Sequence, residues 1–150
     1  MTALSADIDL KKSYPGASPD APVCQEFEVS GSVTIYKNSA IGLNLTSGYV
    51  RTYDDQESDV YIGLASEGVD NSSGSDGDKT VNVEFNEMIK VHQVTVTGAS
   101  SQANVGDPIY FVDDNVNALT TSQPGSDTAV GRIAKWYSST TCDVILTNLY

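Results

Sequence analysis

Few groups in this chain could attack, titrate or ligate near neutral pH, and they do not cluster. His92 is the one histidine. It stands in the run Val91-His92-Gln93-Val94-Thr95-Val96, where an imidazole among β-branched neighbours reads as a structural or surface residue rather than a base. Cys24 and Cys142 are the only thiols and lie far apart in no metal-ligand spacing. The expectation is two reduced side chains behaving as small apolar residues, with a Cys24–Cys142 bridge joining the chain ends as the alternative. With one imidazole and two distant thiols, zinc would need carboxylates for most of its ligands. No Gly-x-Ser-x-Gly elbow, Cys/His pairing or phosphate-cradling glycine loop occurs.

Oxygen ligands are more plentiful. Asp76-Gly77-Asp78 and Asp113-Asp114-Asn115 are the two loops whose carboxylates could meet a hard cation. After the first comes Lys79-Thr80, with no glutamate at the distance a calcium loop needs, so turn chemistry is the expectation for both, with no metal and no cofactor. A carboxylate pair for glycoside cleavage cannot be singled out among 20 acidic residues. Eight tyrosines against three phenylalanines and Trp136 leave two uses for the aromatic surface. One is protein contact; the other is a sugar platform built from Tyr49, Tyr53 and Trp136. No enzyme is expected.

Composition narrows the partners. The 150 residues carry a formal net charge of −12, and Lys11-Lys12 is the one adjacent basic pair. Such a surface is repelled by nucleic acid and by anionic membranes, which are bound through Lys and Arg. The first ten residues have no positive start and no apolar run, and no stretch has transmembrane length. The expectation is a protein made and kept in the cytosol or in an assembly built there.

The elements that must position these groups are strands. From residue 26 the hydrophobic period is 2, with Phe27, Val29, Val33 and Ile35 at odd positions and Gly31 a bulge or bend in one strand over 26–36. Residues 54–59 read as a solvated acidic loop, 60–65 as a short apolar strand, and 70–78 as a loop too polar to pack. Over 87–97 the apolar phase moves from Ile89 and Val91 to Val94 and Val96, which predicts a bulge near His92-Gln93. Residues 129–137 and 141–147 complete nine to eleven strands, and no window carries a helical period with caps. Residues 1–23 differ: Pro15, Pro19 and Pro22 bar a helix or an interior strand, while Leu4, Ile8, Leu10 and Tyr14 supply apolar anchors. That segment reads as an extended arm or as a frayed terminus, ahead of a single all-β domain, barrel or sandwich, over 24–150.

Two stretches read as copies of one strand unit. Val33-Thr34-Ile35-Tyr36, Gly48-Tyr49-Val50, Val60 through Ala65 and Val81-Asn82-Val83 match Pro108-Ile109-Tyr110-Phe111, Ala118-Leu119-Thr120, Ala129 through Ala134 and Asp143-Val144-Ile145. The offsets are 74 from Tyr36 to Tyr110, 68 from Gly63 to Gly131 and 61 from Val83 to Val144.

The second copy, Val105-Gly106-Asp107-Pro108-Ile109-Tyr110-Phe111-Val112-Asp113-Asp114-Asn115, then Ala118-Leu119-Thr120-Thr121, Val130-Gly131-Arg132-Ile133 and Val144-Ile145-Leu146, resembles the repeat of tailed-bacteriophage head decoration (capsid cement) proteins. Gly48-Tyr49-Val50, Ile62-Gly63-Leu64-Ala65 and Gly77-Asp78-Lys79-Thr80-Val81 fit the first half of that pattern. Lys37-Asn38 departs from it, standing where the second copy has Val112-Asp113-Asp114. The resemblance implies a small, non-enzymatic all-β protein on the outer surface of the virion head, clamping major capsid protein subunits and commonly trimeric. It assigns no contact residue. The arm supplies the candidates, with Leu4, Ile8, Leu10 and Tyr14 expected to reach a neighbouring subunit or the shell. Deleting 1–22 is then expected to leave the fold intact. The rival function is a carbohydrate-binding or tail/receptor-associated β-module.

Overall fold

A computed structural model describes residues 3–16, 22–54 and 59–147 of the chain. Among these are thirteen strands: β1 (Lys11–Ser13), β2 (Cys24–Glu28), β3 (Val33–Ile35), β4 (Ala40–Asn44), β5 (Val50–Thr52), β6 (Asp59–Ala65), β7 (Val69–Asn71), β8 (Thr80–Glu84), β9 (Met88–Thr97), β10 (Pro108–Phe111), β11 (Ala118–Thr120), β12 (Gly131–Ser138) and β13 (Thr141–Thr147). One 3₁₀ turn, Gln102–Asn104, is capped by the Ser101 side chain and is the sole helical element among the described residues. The fold is all-β, as the alternating pattern requires.

Two five-stranded units with one strand order make up the body. In the second, β9-β11-β10-β12-β13 closes on itself because β13 also pairs with β9. In the first, the order is β2-β8-β6-β4-β5, and a parallel bridge between Val29 and Val50 joins the two end strands. Taken in chain order, each unit runs first strand beside third in parallel, third beside second, second beside fourth, fourth beside fifth and fifth back beside first, these last four antiparallel.

The registers coincide as well. Ile41 faces Gly63 as Ile109 faces Gly131, Leu43 faces Val50 as Phe111 faces Leu119, and Gln25 faces Val83 as Val91 faces Val144. The Val29 amide bonds to the Lys79 carbonyl at 2.9 Å and the Val96 amide to the Thr140 carbonyl at 2.8 Å. Each unit also places a glycine where its fourth strand crosses the fifth. A Cβ on Gly63 would lie 2.2 Å from the Glu84 carbonyl oxygen, and one on Gly131 2.0 Å from that of Ile145.

These registers revise the sequence reading in four places. The counterpart of β10 is β4, not the Val33 stretch, so the second and fourth strands of the two units share the offset of 68 seen from Gly63 to Gly131, and the Tyr36 match is accidental. The strand expected over 26–36 is two strands in two sheets: the chain turns at Ser32, whose φ is 61°, and β3 pairs with β7. The 70–78 loop packs, because buried Asn71 donates to the carbonyls of Ser30 at 2.9 Å and Ser75 at 3.1 Å. Asp59 belongs to β6, with Arg51 bonded to its carboxylate at 2.8 and 2.9 Å. Gly42 on the strand between them makes this possible, since a Cβ there would sit 2.8 Å from that of Asp59. The bulge near His92-Gln93 is present: β9 and β13 lose register between Cys142 and Val144, and Gln93 has φ 55°.

Each unit has its own core. The first buries Val29, Ile35, Ile41, Val50, Ile62, Val81 and Val83. The second buries Val91, Val94, Ile109, Phe111, Leu119, Ile133 and Val144, and extends across the seam to Ala40, Tyr53, Tyr61 and Leu64 of the first unit. The rings of Tyr53 and Tyr61 lie 5.5 and 5.1 Å from that of Phe111, within the tilted aromatic range. Burying these rings at the junction joins the two barrels.

Candidate functional site

The groups with the most chemistry gather where the arm crosses that seam. β1 pairs antiparallel with β9, Lys11 facing His92 and Ser13 facing Lys90. The proline-rich segment therefore does enter a sheet. It does so as an edge strand, and Pro15 and Pro22 follow the paired residues, so neither removes a ladder amide; Pro19 lies outside the described residues. Upstream, the Leu4 amide donates to Asp114 Oδ1 at 3.0 Å, the Ile8 amide to the Lys37 carbonyl, and the Lys37 amide to Asp7 Oδ1 at 2.8 Å. Of the four anchors, Tyr14 is buried, Leu10 packs on the second core, and Leu4 and Ile8 are half-buried. All four lie against the chain's own body. Removing residues 1–22 would uncover the β9 edge and part of the core, so the fold does not stand apart from the arm.

Lys12 points into the seam. Its ammonium lies 2.9 Å from Glu84 Oε1 and 3.0 Å from Oε2, and it also donates to Asn38 Oδ1. Both partners of the ion pair are nearly covered, at 11% and 7% side-chain exposure, so the pairing must offset the loss of hydration. Asn38 passes the network on, its Nδ2 donating to the Ile8 carbonyl at 2.7 Å. Burial raises the Tyr14 phenol, and the Glu84 charge with its hydrogen bond raises it further; burial and Glu84 do the same to Tyr61. Both phenols are held neutral near the Glu84 carboxylate, and Tyr14 donates to it.

A second cluster lies on the outer face of the second barrel. Ser13 Oγ is 3.3 Å from His92 Nε2, and His92 Nδ1 is 3.3 Å from Asp143 Oδ2. Asp143 also accepts from the Gln93 amide at 2.9 Å and the Tyr137 hydroxyl at 2.8 Å. Burial acts to raise its carboxyl, but the Tyr137, Gln93 and His92 interactions outweigh it and hold the group below the usual carboxylate range. The hydroxyl–imidazole–carboxylate order is that of a nucleophilic relay. Activity of that kind also needs donors for an oxyanion and a cleft for substrate. The concavities at the Tyr53–Asp127 seam, around Glu67 and Lys79, and beside Pro15 and Phe85 are lined by other residues. The cluster's demonstrable work is to tie β1, β9 and β13 across the bulge. Sequence reasoning left His92 as a structural or surface residue and missed its partners, because Ser13 and Asp143 are distant in sequence and only the phase switch hinted that this region is special.

The acidic loops serve as turns. Asp76 accepts from the Gly31 amide at 2.7 Å, Asp78 from Ser75 at 2.8 Å and Asp113 from Asn115 at 2.8 Å. Among the described residues no three His, Cys, Asp or Glu side chains converge as a metal would require. Cys24 is exposed on β2 and Cys142 buried on β13, both as free thiols. The three rings of the sugar-platform reading do not share a face. Tyr53 is buried with its hydroxyl on Asp127 at 3.1 Å, Trp136 packs on the second core with its indole donating to the Ser139 carbonyl, and Tyr49 lies in the first barrel. No family model matches the chain, nor does any curated protein or solved structure.

Proposed function

We propose that this protein is a non-enzymatic capsid decoration protein, bound to the outer surface of a phage head and bridging neighbouring major capsid protein subunits as a homotrimer. One observation carries the reading. The motif that resembles head decoration proteins covers β10 to β13, four of the five strands of one barrel, and the same strand order recurs in the other, so the resemblance attaches to a repeated folding unit rather than to scattered words. Two rigid units joined by buried tyrosines form a body suited to spanning a boundary between subunits. The buried polar groups brace that body. A net charge of −12 suits a partner other than nucleic acid or an anionic bilayer. Cementing of this kind works by burying surface on both sides of a subunit boundary, and three linked copies raise the avidity of each modest contact. The sugar-binding alternative is weakened by the burial of Tyr53.

The test mixes the purified chain with undecorated heads assembled from the major capsid protein encoded nearest to it. Saturable co-sedimentation and a rise in the heads' disruption temperature of several degrees are expected, with light scattering reporting the mass of three chains. Heads that neither retain the protein nor change in stability overturn the proposal.

A further inference from the structure

The matched registers of the two barrels show an edge that is filled in one and open in the other. In the second barrel, β1 lies along β9 opposite Lys90, Val91 and His92. Glu84 and Val83 of the first barrel correspond to Ile145 and Val144, so Cys24 and Gln25 occupy the places of Lys90 and Val91, and Glu26 that of the His92 bulge. The Val29 amide and the Val23 carbonyl bond to the β8 side, at 2.9 and 2.7 Å. Along an antiparallel strand alternate residues bond to opposite sides, so Cys24 and Glu26 aim their amides and carbonyls away from β8. Cys24, Gln25 and Glu26 are all exposed, Val23 is 59% exposed, and among the described residues no bond reaches those backbone groups from that side.

Charge indicates what fits. Glu26 and Glu28 share the outer face of β2, both exposed. A strand added here sets every second side chain beside these carboxylates, where opposite charges attract and like charges repel. A second copy's β2 would bring glutamate against glutamate. A second copy's arm is held on its own seam by the Lys12–Glu84 pair and buried Tyr14.

We propose that the outer edge of β2 is a strand-accepting site for an extended segment of a partner protein carrying lysine or arginine at alternate positions, paired antiparallel as β1 pairs with β9. This is strand addition, in which backbone bonds supply affinity and alternate side chains supply selectivity. It holds whichever assembly the protein joins.

The probe is a blocked, fluorescent peptide, Thr-Lys-Val-Lys-Val-Lys-Thr, with a counterpart carrying glutamate for lysine, added to the full chain at low salt. Anisotropy is expected to show saturable binding of the lysine peptide at least about tenfold tighter than the glutamate one. Hydrogen exchange at the Cys24 and Glu26 amides is expected to slow on binding while the β9 amides are unchanged. Glu26→Pro removes an amide that β8 does not use, so it leaves the ladder whole and abolishes binding. The double charge reversal Glu26→Lys with Glu28→Lys inverts the preference between the peptides, and unchanged melting temperatures certify both variants as folded. Protection at another edge, equal binding of the two peptides, or no saturable binding overturns the assignment. So does self-association that Glu26→Pro disrupts, which gives the edge to a second copy.

Discussion

Three residue pairs, Ala118–Thr120 against Thr95–Thr97, make the parallel seam of the second barrel, where the first has the lone bridge of Val29 to Val50. Each unit is completed by an accessory element that the other lacks. The first has the β3–β7 hairpin, with Asn71 bonded to the carbonyls of Ser30 and Ser75 beside the weak closure. The second has β1 laid along β9, with Ser13, His92 and Asp143 linked across its outer face. The comparison separates what the strand order needs from what finishes it. Both units require the glycine crossing and the paired valines at 29 and 96; the first reinforces its closure with a hairpin, and the second covers an edge that the first leaves open.

The sharpest way to break the equivalence is at its glycines. Gly63→Ala and Gly131→Ala each force a methyl to about 2 Å from a backbone carbonyl oxygen that cannot move without parting two strands. Each is expected to cost about 4 kcal/mol or more, at the severe end for a single substitution. Chemical denaturation of both variants tests this. A tolerated Gly63→Ala beside a ruinous Gly131→Ala would show that the first unit crosses its strands differently.

The next effect lies on the seam. Lys12→Ala strips Glu84 of its counter-charge where both are nearly covered, and breaking such a pair costs about 3 kcal/mol or more. Because Lys12 rides on a strand of the second barrel and Glu84 belongs to the first, the two units are expected to lose their coupling. Hydrogen exchange should then rise in β1 and along the β9 edge before it rises in β4 or β6. Uniform loosening of both barrels would contradict the view that the arm is a clamp between them.

How much of this was written in the residues depends on range. The alternation of Lys79 to Phe85 was readable because apolar and polar neighbours alternate locally, the 141–147 strand because Val144-Ile145-Leu146 is a short apolar run, and the phase switch at His92 exposed the bulge before any partner was known. The glycine offset of 68 was readable because a glycine inside an apolar strand is conspicuous. The odd-phase alternation of Ile41 and Leu43 in β4 was readable, but its match to β10 was not, because Gly42 and Asn44 dilute the pattern beside the stronger Val33-Thr34-Ile35. The clamp was not legible at all: Lys12 and Glu84 are 72 positions apart, and their pairing exists only once the barrels dock. Asp59 misled for a related reason, since a carboxylate beside an acidic loop reads as solvated until Arg51 is seen to cover it.

The smallest expected effects concern two buried aspartates, one on the arm contact and one within the second barrel, whose responses to pH have opposite signs. Burial pushes Asp114 up to about 6, with Asp113 and Asp54 adding to it and the Leu4 amide opposing. Between the ordinary value near 3.8 and about 6 the folded chain holds a proton that the unfolded chain has lost, so stability falls as pH rises through that window. Asp114→Asn keeps an oxygen for Leu4 and removes the charge, and is expected to stabilise by about 1–3 kcal/mol at pH 7 and by almost nothing at pH 4. Asp143 is held below the ordinary range by its hydrogen bonds, so its contribution is present at neutral pH and lost as pH falls through the folded value. Asp143→Asn is expected to cost about 1 kcal/mol at pH 7, with the gap to the parent closing under acid. Melting curves of the two variants from pH 2 to 7.5, which takes in the window below 3.8 where Asp143 acts, should therefore depart from the parent upward for one and downward for the other. Parallel curves would mean that the two carboxylates sit in equivalent surroundings, which the arm's contact with Asp114 and the triple bonding of Asp143 argue against.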